Sequence, residues 1–398
     1  MADDRRIIYI LVATVVVDMM GLGLVYPLLP KIFFQDSLFF QHHSLNQVAF
    51  YLAQAAWPLG IILGASMLGM LSDKFGRKRI LTLSFLLTSL SYALAIFSLY
   101  FHVFSAFLIS RLVCGFFAGN FEVAQAAALD WSEPKDRAQS LGYISMASSF
   151  GFSIGPLVVN VAGYTFPAKA VLISFGIALC LALISLYFIR VKLPNDSPKF
   201  PEKKINTPSL FGATTFICRD KRTSRLSWFY LMMQIGWGMY LQGLVFYLSR
   251  SLSFSMIDVS WVFMLMGITV TVFNVTVHRY LLKQLTLVHA YQISVAICAL
   301  CMLISATWPI SILQWWFAPI AAGMQLLLYK IMLYQLSLNV TEKELGITMG
   351  SAGSGFGFGF AFANVLIFLL ACLDVTAPLY VGTALLIYTA YRCKYYMC

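Results

Sequence analysis

The chain has 398 residues, of which 60% are hydrophobic and 11% are charged, and its net charge is +11. Soluble domains carry roughly 25% charged residues, so this composition excludes an ordinary soluble core and predicts a membrane protein. Because a crossing helix takes ~20 residues, about twelve crossings would use up the chain. The apolar runs predict crossings at 7–30, 47–71, 79–100, 103–126, 138–163, 168–190, 226–248, 257–277, 285–306, 309–338, 346–371 and 374–392.

The basic residues divide unequally between the two sides of the predicted bundle. Of the 27 Lys and Arg residues, 22 lie on the side of both termini and 3 on the opposite side, while Arg111 and Lys330 lie within crossings. Basic loops stay in the cytoplasm, so both termini are predicted to be cytoplasmic. Topology thereby accounts for the positive charge, and no nucleic-acid partner is predicted. The first apolar run is too long for a cleavable signal peptide.

The first crossing contains an acidic residue in a pattern of small residues and prolines. Asp18 lies ~16 Å from the start of this helix, near the middle of a bilayer. A carboxylate at this depth is costly, which predicts contact with water, a partner or a proton path. A structural aspartate bonded to helix-end donors is the alternative. The residues that complete the pattern are Gly21, Gly23, Pro27 and Pro30.

A short basic loop joins the second and third crossings. Its characteristic residues are Gly69, Asp73, Lys74, Gly76, Arg77, Lys78 and Arg79. Gly76 permits a turn that a side chain would obstruct, and Gly69 is expected to let a neighbouring helix approach closely. The basic residues hold the loop in the cytoplasm. A plain basic loop after any helix hairpin is the alternative.

This loop resembles the signature loop of the major facilitator superfamily, a large family of secondary transporters. The pattern that begins at Asp18 resembles the first helix of the drug/proton antiporter branch, which includes tetracycline efflux proteins. The resemblance implies twelve transmembrane helices in two pseudo-symmetric six-helix bundles, an all-α fold. It also implies a central cavity lined by helices one, four, seven and ten, which opens alternately to each side of a bacterial inner membrane.

The fourth crossing carries Arg111 and Glu122. On a continuous helix these residues share a face at ~16 Å, so each needs a different partner. Arg111 resembles the arginine of the family's fourth-helix motif. Asp130 and Arg137 match an acidic and a basic residue that follow this helix in the family. The resemblance implies that Asp130 pairs with Arg77 as part of a cytoplasmic gate.

The fifth crossing contains Gly151, Gly155 and Pro156, which resemble the antiporter motif of proton-driven exporters. The family's terminal glycine pair is replaced here by Val159 and Asn160. Physically, the motif is a close-packing face followed by a proline kink. Ordinary helix packing would leave the same pattern, but the motif favours export over import.

Residues 191–225 differ in kind from the rest of the chain. They hold four prolines and, counted from Arg190, nine basic residues, with no apolar run. They are predicted to form a cytoplasmic linker between an N-terminal bundle, 1–190, and a C-terminal bundle, 226–398. The glycines from Gly350 to Gly359 predict a small-residue face on the eleventh crossing.

The tenth crossing holds a second costly charge, Lys330, ~21 Å from the tryptophan belt at the start of that helix. Glu122 and Lys330 occupy matching depths on helices that the symmetry of the family relates. They are therefore predicted to neutralise each other when the cavity is empty. Snorkelling of Lys330 to the inner surface is the alternative.

These features predict a proton-coupled secondary transporter in which Asp18 or Glu122 carries the proton. Two acids and two bases with aromatic walls suit an amphipathic or carboxylate-bearing solute, such as a drug or a siderophore. Import of an organic anion or nutrient is the alternative, and a non-transporting sensor on the same fold is the alternative from another class. The cavity is expected to present Arg111, Gln234, Trp237, Tyr240, Gln325, Tyr329 and Lys330.

No enzyme chemistry, cofactor or metal site is predicted from the sequence. Cys298 and Cys301 lie in an apolar run and are expected to pack, and the His42–His43 pair is only a weak indication of metal binding. The expected partners are a small-molecule solute, protons and the lipid bilayer, and the expected state is a monomer.

Overall fold

The computed structural model describes residues 2–132, 136–194, 223–340 and 342–393, and within these ranges it contains helices and no strand. A wide helical turn, Lys31–Gln35, continues the first helix. The helices are α1 Ala2–Pro30, α2 His43–Phe75, α3 Arg77–Tyr100, α4 Phe104–Phe117, α5 Asn120–Asp130, α6 Arg137–Thr165, α7 Ala170–Lys192, α8 Ser224–Ser251, α9 Met256–Val275, α10 Val277–Gln284, α11 Leu287–Thr307, α12 Ser311–Leu338, α13 Glu342–Ala371 and α14 Ala377–Cys393.

Ten segments of the described chain are long and apolar enough to cross a membrane. Among them, α4 with α5 forms one segment, 104–130, and α9 with α10 forms another, 256–284. Two further helices are not among these ten segments: α8, with 28 residues, and α14, with 17 residues. The predicted linker falls mainly on 195–222, which lies outside the described residues.

Small residues set the distance between α1 and α6. A Cβ atom at Gly151 would overlap the backbone of α1 at Val16, and one at Gly155 would overlap it at Leu24. Pro156 lies inside α6, which continues through it to Thr165. The glycines predicted as an antiport motif therefore bring two helix backbones together, as small residues do in membrane proteins.

The fourth crossing is broken in the middle. Between α4 and α5 the chain makes a turn at Gly119, where a Cβ atom would lie 3.0 Å from the Cα atom of Ala65 on α2. The expectation that Arg111 and Glu122 share one face of a continuous helix is wrong, because this turn interrupts the helical register between them. The break places the first turn of α5 inside the molecule.

Helix α13 joins the first seven helices to the later ones. On one side, a Cβ atom at Gly357 would lie 2.9 Å from the carbonyl oxygen of Pro58 on α2, and Ser354 donates to the Ile62 carbonyl at 3.3 Å. On the other side, a Cβ atom at Gly359 would lie 2.8 Å from Cβ of Gln234 on α8. The predicted small-residue face thus allows close packing of α13 against both α2 and α8.

Aromatic and polar side chains also connect α2 with α8 and α13. The Tyr51 ring of α2 lies 5.6 Å from Phe246 of α8 and 5.7 Å from Phe368 of α13. Arg250, in the last turn of α8, donates to Nε2 of His43 and lies 4.5 Å over the Phe34 ring. His43, weakly predicted as a metal ligand, is therefore part of the contact between α2 and α8.

The two cysteines in α11 pack as expected from their apolar surroundings. Both Cys298 and Cys301 are buried as free thiols. The Cys298 thiol donates to the Ala321 carbonyl of α12 at 3.4 Å. This contact helps to hold α11 against α12.

Candidate functional site

Two carboxylates lie within electrostatic reach of each other inside the first seven helices. Asp18 of α1 and Glu122 of α5 interact electrostatically, and the Asn120 amide at the start of α5 faces Asp18. Asp18 Oδ2 and Glu122 Oε2 are buried without a hydrogen bond to any described residue. The break before α5 places Asn120 and Glu122 beside α1. An acidic group of α5 and an acidic group of α1 therefore act on each other electrostatically.

Glu122 also touches the later part of the chain. Its Oε1 lies 3.2 Å from the position that a Cβ atom would take at Gly353 of α13. The hydroxyls of Tyr230 on α8 and Tyr329 on α12 interact electrostatically with the same carboxylate. The protonation state of Glu122 therefore changes the charge at a contact between α5 and three later helices.

Arg111 of α4 is buried to 1% exposure inside a cage of aromatic rings. The centre of its guanidinium group lies 5.1 Å from the ring of Phe175, 5.8 Å from Phe107 and 5.9 Å from Tyr92. Within the described chain, Nε and Nη2 of Arg111 make no hydrogen bond. Ring faces attract the cation but do not replace hydrogen-bond acceptors, so the site is suited to receive an anionic group.

Tyr92 connects Arg111 to the carboxylates. Its hydroxyl interacts electrostatically with both Arg111 and Asp18. A Cβ atom at Gly21 of α1 would collide with this hydroxyl, so the glycine makes room for it. Arg111, Asp18 and Glu122 thus belong to one series of buried and half-buried polar groups that runs from α4 to the contact with α13.

A cavity of about 20 Å³ lies beside Arg111. This volume admits a group about the size of a water molecule. Gln54 and Trp57 of α2 line one wall, and Tyr26 of α1 lines another. The cavity combines a buried cation, one amide and two aromatic side chains.

A series of amides links this cavity to α8 and α13. Gln54 Nε2 donates to the backbone carbonyl of Gln242 at 3.2 Å, and Gln242 Nε2 donates to the Phe360 carbonyl at 3.0 Å. Asn364 Nδ2 completes the series by donating to Gln242 Oε1 and to the Phe360 carbonyl. All three amide side chains are at most 5% exposed. Buried amides bonded in this way hold α2, α8 and α13 in register.

The basic loop between α2 and α3 is held by Arg77. This side chain pairs with Asp73 at 2.5 Å and with Asp130 of α5 at 3.2 Å, and it donates to Ser72. Gly76 has φ 96°, a backbone conformation that favours glycine. Arg77 lies in α3 and Asp130 lies in α5, so this ion pair forms within the first seven helices. The gate that they were predicted to form stays a prediction.

Gly69 and Arg137 are two other residues that were predicted to belong to the gate. No described atom lies within 4 Å of the position of a Cβ atom at Gly69, so the expected close approach of a helix at this residue is wrong. Arg137 begins α6, but its side chain lies outside what the structure describes.

Two predicted cavity residues, Gln234 and Tyr329, lie beside Tyr230, and a third, Gln325, is buried in α12. Gln234 Nε2 donates to the Tyr230 hydroxyl at 3.5 Å, and the Tyr329 ring lies 6.1 Å from the Tyr230 ring. Gln325 is 4% exposed, and its Oε1 has no partner among the described residues. These side chains lie apart from the cavity beside Arg111, which takes its lining from α1, α2 and α4.

Tyr240 is placed differently from the prediction, and the place of Trp237 on the cavity wall stays a prediction. The Tyr240 hydroxyl donates to Ser305 of α11 at 3.2 Å, and the Trp237 ring lies 5.6 Å from the Tyr240 ring. Tyr240 is fully buried. Its expected place on the cavity wall is wrong, because its polar end points to α11 and is satisfied there.

Lys330 is not paired with Glu122 in the described structure. Its ammonium group donates to Oδ1 of Asn274 on α9. Successive helix residues point about 100° apart, so when Tyr329 faces Glu122 the next side chain faces another helix. The predicted neutralisation of Glu122 by Lys330 is wrong in this conformation for that reason.

Several polar residues of the site were not predicted from the sequence. Gln54, Asn120, Gln242 and Asn364 all stand inside apolar runs. A neutral amide in such a run is a weaker signal than a charge, since hydrogen bonds to backbone carbonyls satisfy it cheaply. A charged residue in an apolar run is thus predictable as part of a site, whereas its neutral partner is not.

Comparison with known proteins identifies the family. The family model of the Major Facilitator Superfamily matches residues 11–385. The chain belongs to the major facilitator superfamily. Members of this family are membrane transporters and not enzymes, which confirms the predicted family and the prediction of a non-enzymatic multi-pass membrane protein.

Efflux proteins are among its relatives. Multidrug resistance protein 2 of Bacillus subtilis (strain 168) is 31% identical over 193 residues, which cover 48% of this chain and 46% of that protein. The class H tetracycline resistance protein of Pasteurella multocida is 30% identical over 187 residues, which cover 46% and 44%. The chain thus spans about half the length of these curated relatives, and the predicted resemblance to tetracycline efflux proteins is confirmed.

A solved structure matches over nearly the whole chain. The crystal structure of the human organic anion transporter MFSD10 (TETRAN) superposes with a TM-score of 0.74 at 20% sequence identity. The superposition covers 98% of this chain and 99% of that one. The two proteins therefore have the same fold.

Proposed function

We propose that this major facilitator superfamily member is a proton-coupled exporter of a small amphipathic or carboxylate-bearing solute. The observation that carries the proposal is the pair of half-buried acidic residues, Asp18 and Glu122, each with one buried oxygen that has no described partner, and the contact of Glu122 with helix α13. In the proposed topology, α8 and α14 join the ten apolar segments as further crossings. Twelve crossings then form bundles 1–190 and 226–398 around the linker 191–225, with both termini in the cytoplasm.

The arrangement of the carboxylates supports proton coupling. Two acids in one apolar surrounding are not readily ionised together, so their site is suited to take up and release a proton. Glu122 lies against Gly353, so its charge acts where the two halves meet. A proton on Glu122 favours this dry contact, and its loss favours separation and hydration of the contact.

The surroundings of Arg111 support an anionic solute. The buried guanidinium group has unpaired nitrogens and aromatic neighbours. The name of the human structural neighbour is that of an organic anion transporter. Export is favoured over import by the multidrug and tetracycline resistance proteins among the relatives. We propose that the protein acts as a monomer in a bacterial inner membrane.

Transport in proteoliposomes tests the proposal. We expect an aromatic carboxylate such as phenylacetate to move against the proton flow when a pH gradient is imposed across the membrane. Without the gradient, the purified protein should only equilibrate the compound. Movement that is equally fast with and without the gradient contradicts proton coupling, and flux equal to that of protein-free liposomes contradicts transport of carboxylates.

We further propose that the Arg77 ion pairs stabilise the closed cytoplasmic side. Arg77→Ala should shift the conformational equilibrium on the order of ten- to hundred-fold towards the inward-open state, since a partly buried pair contributes about 1–3 kcal/mol. The readout is the alkylation rate of Ala65→Cys, because Ala65 is buried in contact with Gly353. This rate should rise in the Arg77→Ala background.

The matched control is Arg79→Ala, which removes an exposed cation from the same loop. This substitution should leave the alkylation rate of Ala65→Cys unchanged. Equal rates in the Arg77→Ala and Arg79→Ala backgrounds would contradict a gating role for Arg77.

A further inference from the structure

The cavity beside Arg111 brings together polar atoms of opposite hydrogen-bonding character. Arg111 offers two donors without a described partner, Nε and Nη2, and Gln54 offers one acceptor without a described partner, Oε1. Both residues line the same cavity, and their exposures are 1% and 5%. Polar atoms at such burial strongly favour a partner, so a matching solute must supply both an acceptor and a donor.

The orientation of the Gln54 amide is fixed by its neighbour. Gln54 Nε2 donates to the Gln242 carbonyl oxygen at 3.2 Å. A carbonyl oxygen only accepts, so turning the amide over would place two acceptors against each other. Oε1 is therefore the atom of Gln54 that is left to receive a hydrogen bond.

The walls and size of the cavity restrict the solute further. Trp57 and Tyr26 present aromatic surface, and about 20 Å³ admits only a small polar group in this conformation. A carboxylate matches the donors of the guanidinium group, and an apolar body matches the aromatic walls once the cavity widens to admit the solute. A hydroxyl close to the carboxylate would reach the amide oxygen.

We infer that this site recognises hydroxycarboxylates, with the carboxylate on Arg111 and the hydroxyl donating to Oε1 of Gln54. The inference rests on the proposed transport of a carboxylate-bearing solute and names the feature that selects it. Gln54 is then a specificity-determining residue. Through its bond to Gln242 it also places the bound hydroxyl next to the junction of α2, α8 and α13.

Two compounds that differ by one hydroxyl test the inference on the unaltered protein. Mandelate is phenylacetate with a hydroxyl on the carbon beside the carboxylate. Binding to the purified full chain in nanodiscs is measured by titration calorimetry, with each enantiomer of mandelate. We expect the better enantiomer to bind about tenfold more tightly than phenylacetate, because it satisfies a buried acceptor.

A substitution at Gln54 locates the source of this preference. Gln54→Met keeps the length of the side chain and removes the acceptor, so mandelate and phenylacetate should then bind with equal affinity. The matched control is Asn364→Leu, which breaks the same series of amides away from the cavity and should keep the tenfold preference. A preference that persists in Gln54→Met overturns the inference.

The outcomes separate this inference from the proposed function. Equal binding of both compounds to the unaltered protein overturns the hydroxyl recognition alone and leaves the carboxylate site intact. Failure of both compounds to bind overturns the carboxylate site of the proposed function, and the inference with it. The comparison of ligands on the unaltered protein holds even if Gln54→Met fails to fold.

Discussion

The double substitution Asp18→Asn with Glu122→Gln is expected to reduce gradient-driven solute movement to the level of protein-free liposomes. Both side chains keep their shape, but neither can carry a proton. Each single substitution leaves one of the two acids in place and should therefore retain part of the flux. The measurement is solute flux with an imposed pH gradient, beside solute binding to the same preparations.

The binding measurement separates loss of coupling from loss of folding. The double variant should still bind phenylacetate, because Arg111 and the cavity beside it are unchanged. Asp374→Asn is a matched control, since this exposed carboxylate lies between α13 and α14, where hydrogen bonds from Thr376 hold its pKa below the ordinary value. Full gradient-driven flux in the double variant would mean that neither Asp18 nor Glu122 carries the proton.

The position of Glu122 explains how a proton could be linked to a change of shape. The carboxylate fits against Gly353, where even a Cβ atom would lie 3.2 Å from Oε1. A charged carboxylate in such a half-buried contact is disfavoured relative to a hydrated one. Proton release from Glu122 therefore favours separation of α5 from α13, and proton uptake favours their contact.

The family and the general fold could be predicted from the sequence, because long apolar runs and one glycine-containing basic loop are strong local signals. Gly76 illustrates this, since its φ of 96° is a local requirement of the turn. The break at Gly119 was not predictable in the same way. A glycine in an apolar helix usually serves close packing, and here it serves both packing and the interruption of the helix.

The partners of charged residues were predicted less well than their presence in the crossings. Matching depths suggested that Glu122 and Lys330 pair, but depth says nothing about rotation around the helix axis. In the structure the Tyr329 hydroxyl interacts with Glu122, and Lys330 donates to Asn274 on α9. A side chain's direction depends on how the whole helix is packed, which a single sequence does not reveal.

The tenfold selectivity proposed for Gln54 depends on a stronger interaction made by Arg111. Arg111→Gln should weaken the binding of phenylacetate about a hundredfold, because the carboxylate loses charge-assisted hydrogen bonds in a buried site. Arg111→Lys should weaken it about tenfold, since a single ammonium group keeps the charge but not the planar fork of donors. Titration calorimetry on the purified variants gives both values.

The aromatic cage makes these variants suitable for the test. Arg111 forms no ion pair with a described carboxylate, so its removal leaves no acid stranded without a partner. The rings of Tyr92, Phe107 and Phe175 can pack around a glutamine, and we expect Arg111→Gln to elute as a single folded species in size-exclusion chromatography. Arg250→Gln is the control, because Arg250 also lies over a ring, Phe34, but outside the cavity. If Arg111→Gln and Arg250→Gln bind phenylacetate equally well, Arg111 stabilises the ring cluster and does not receive the solute.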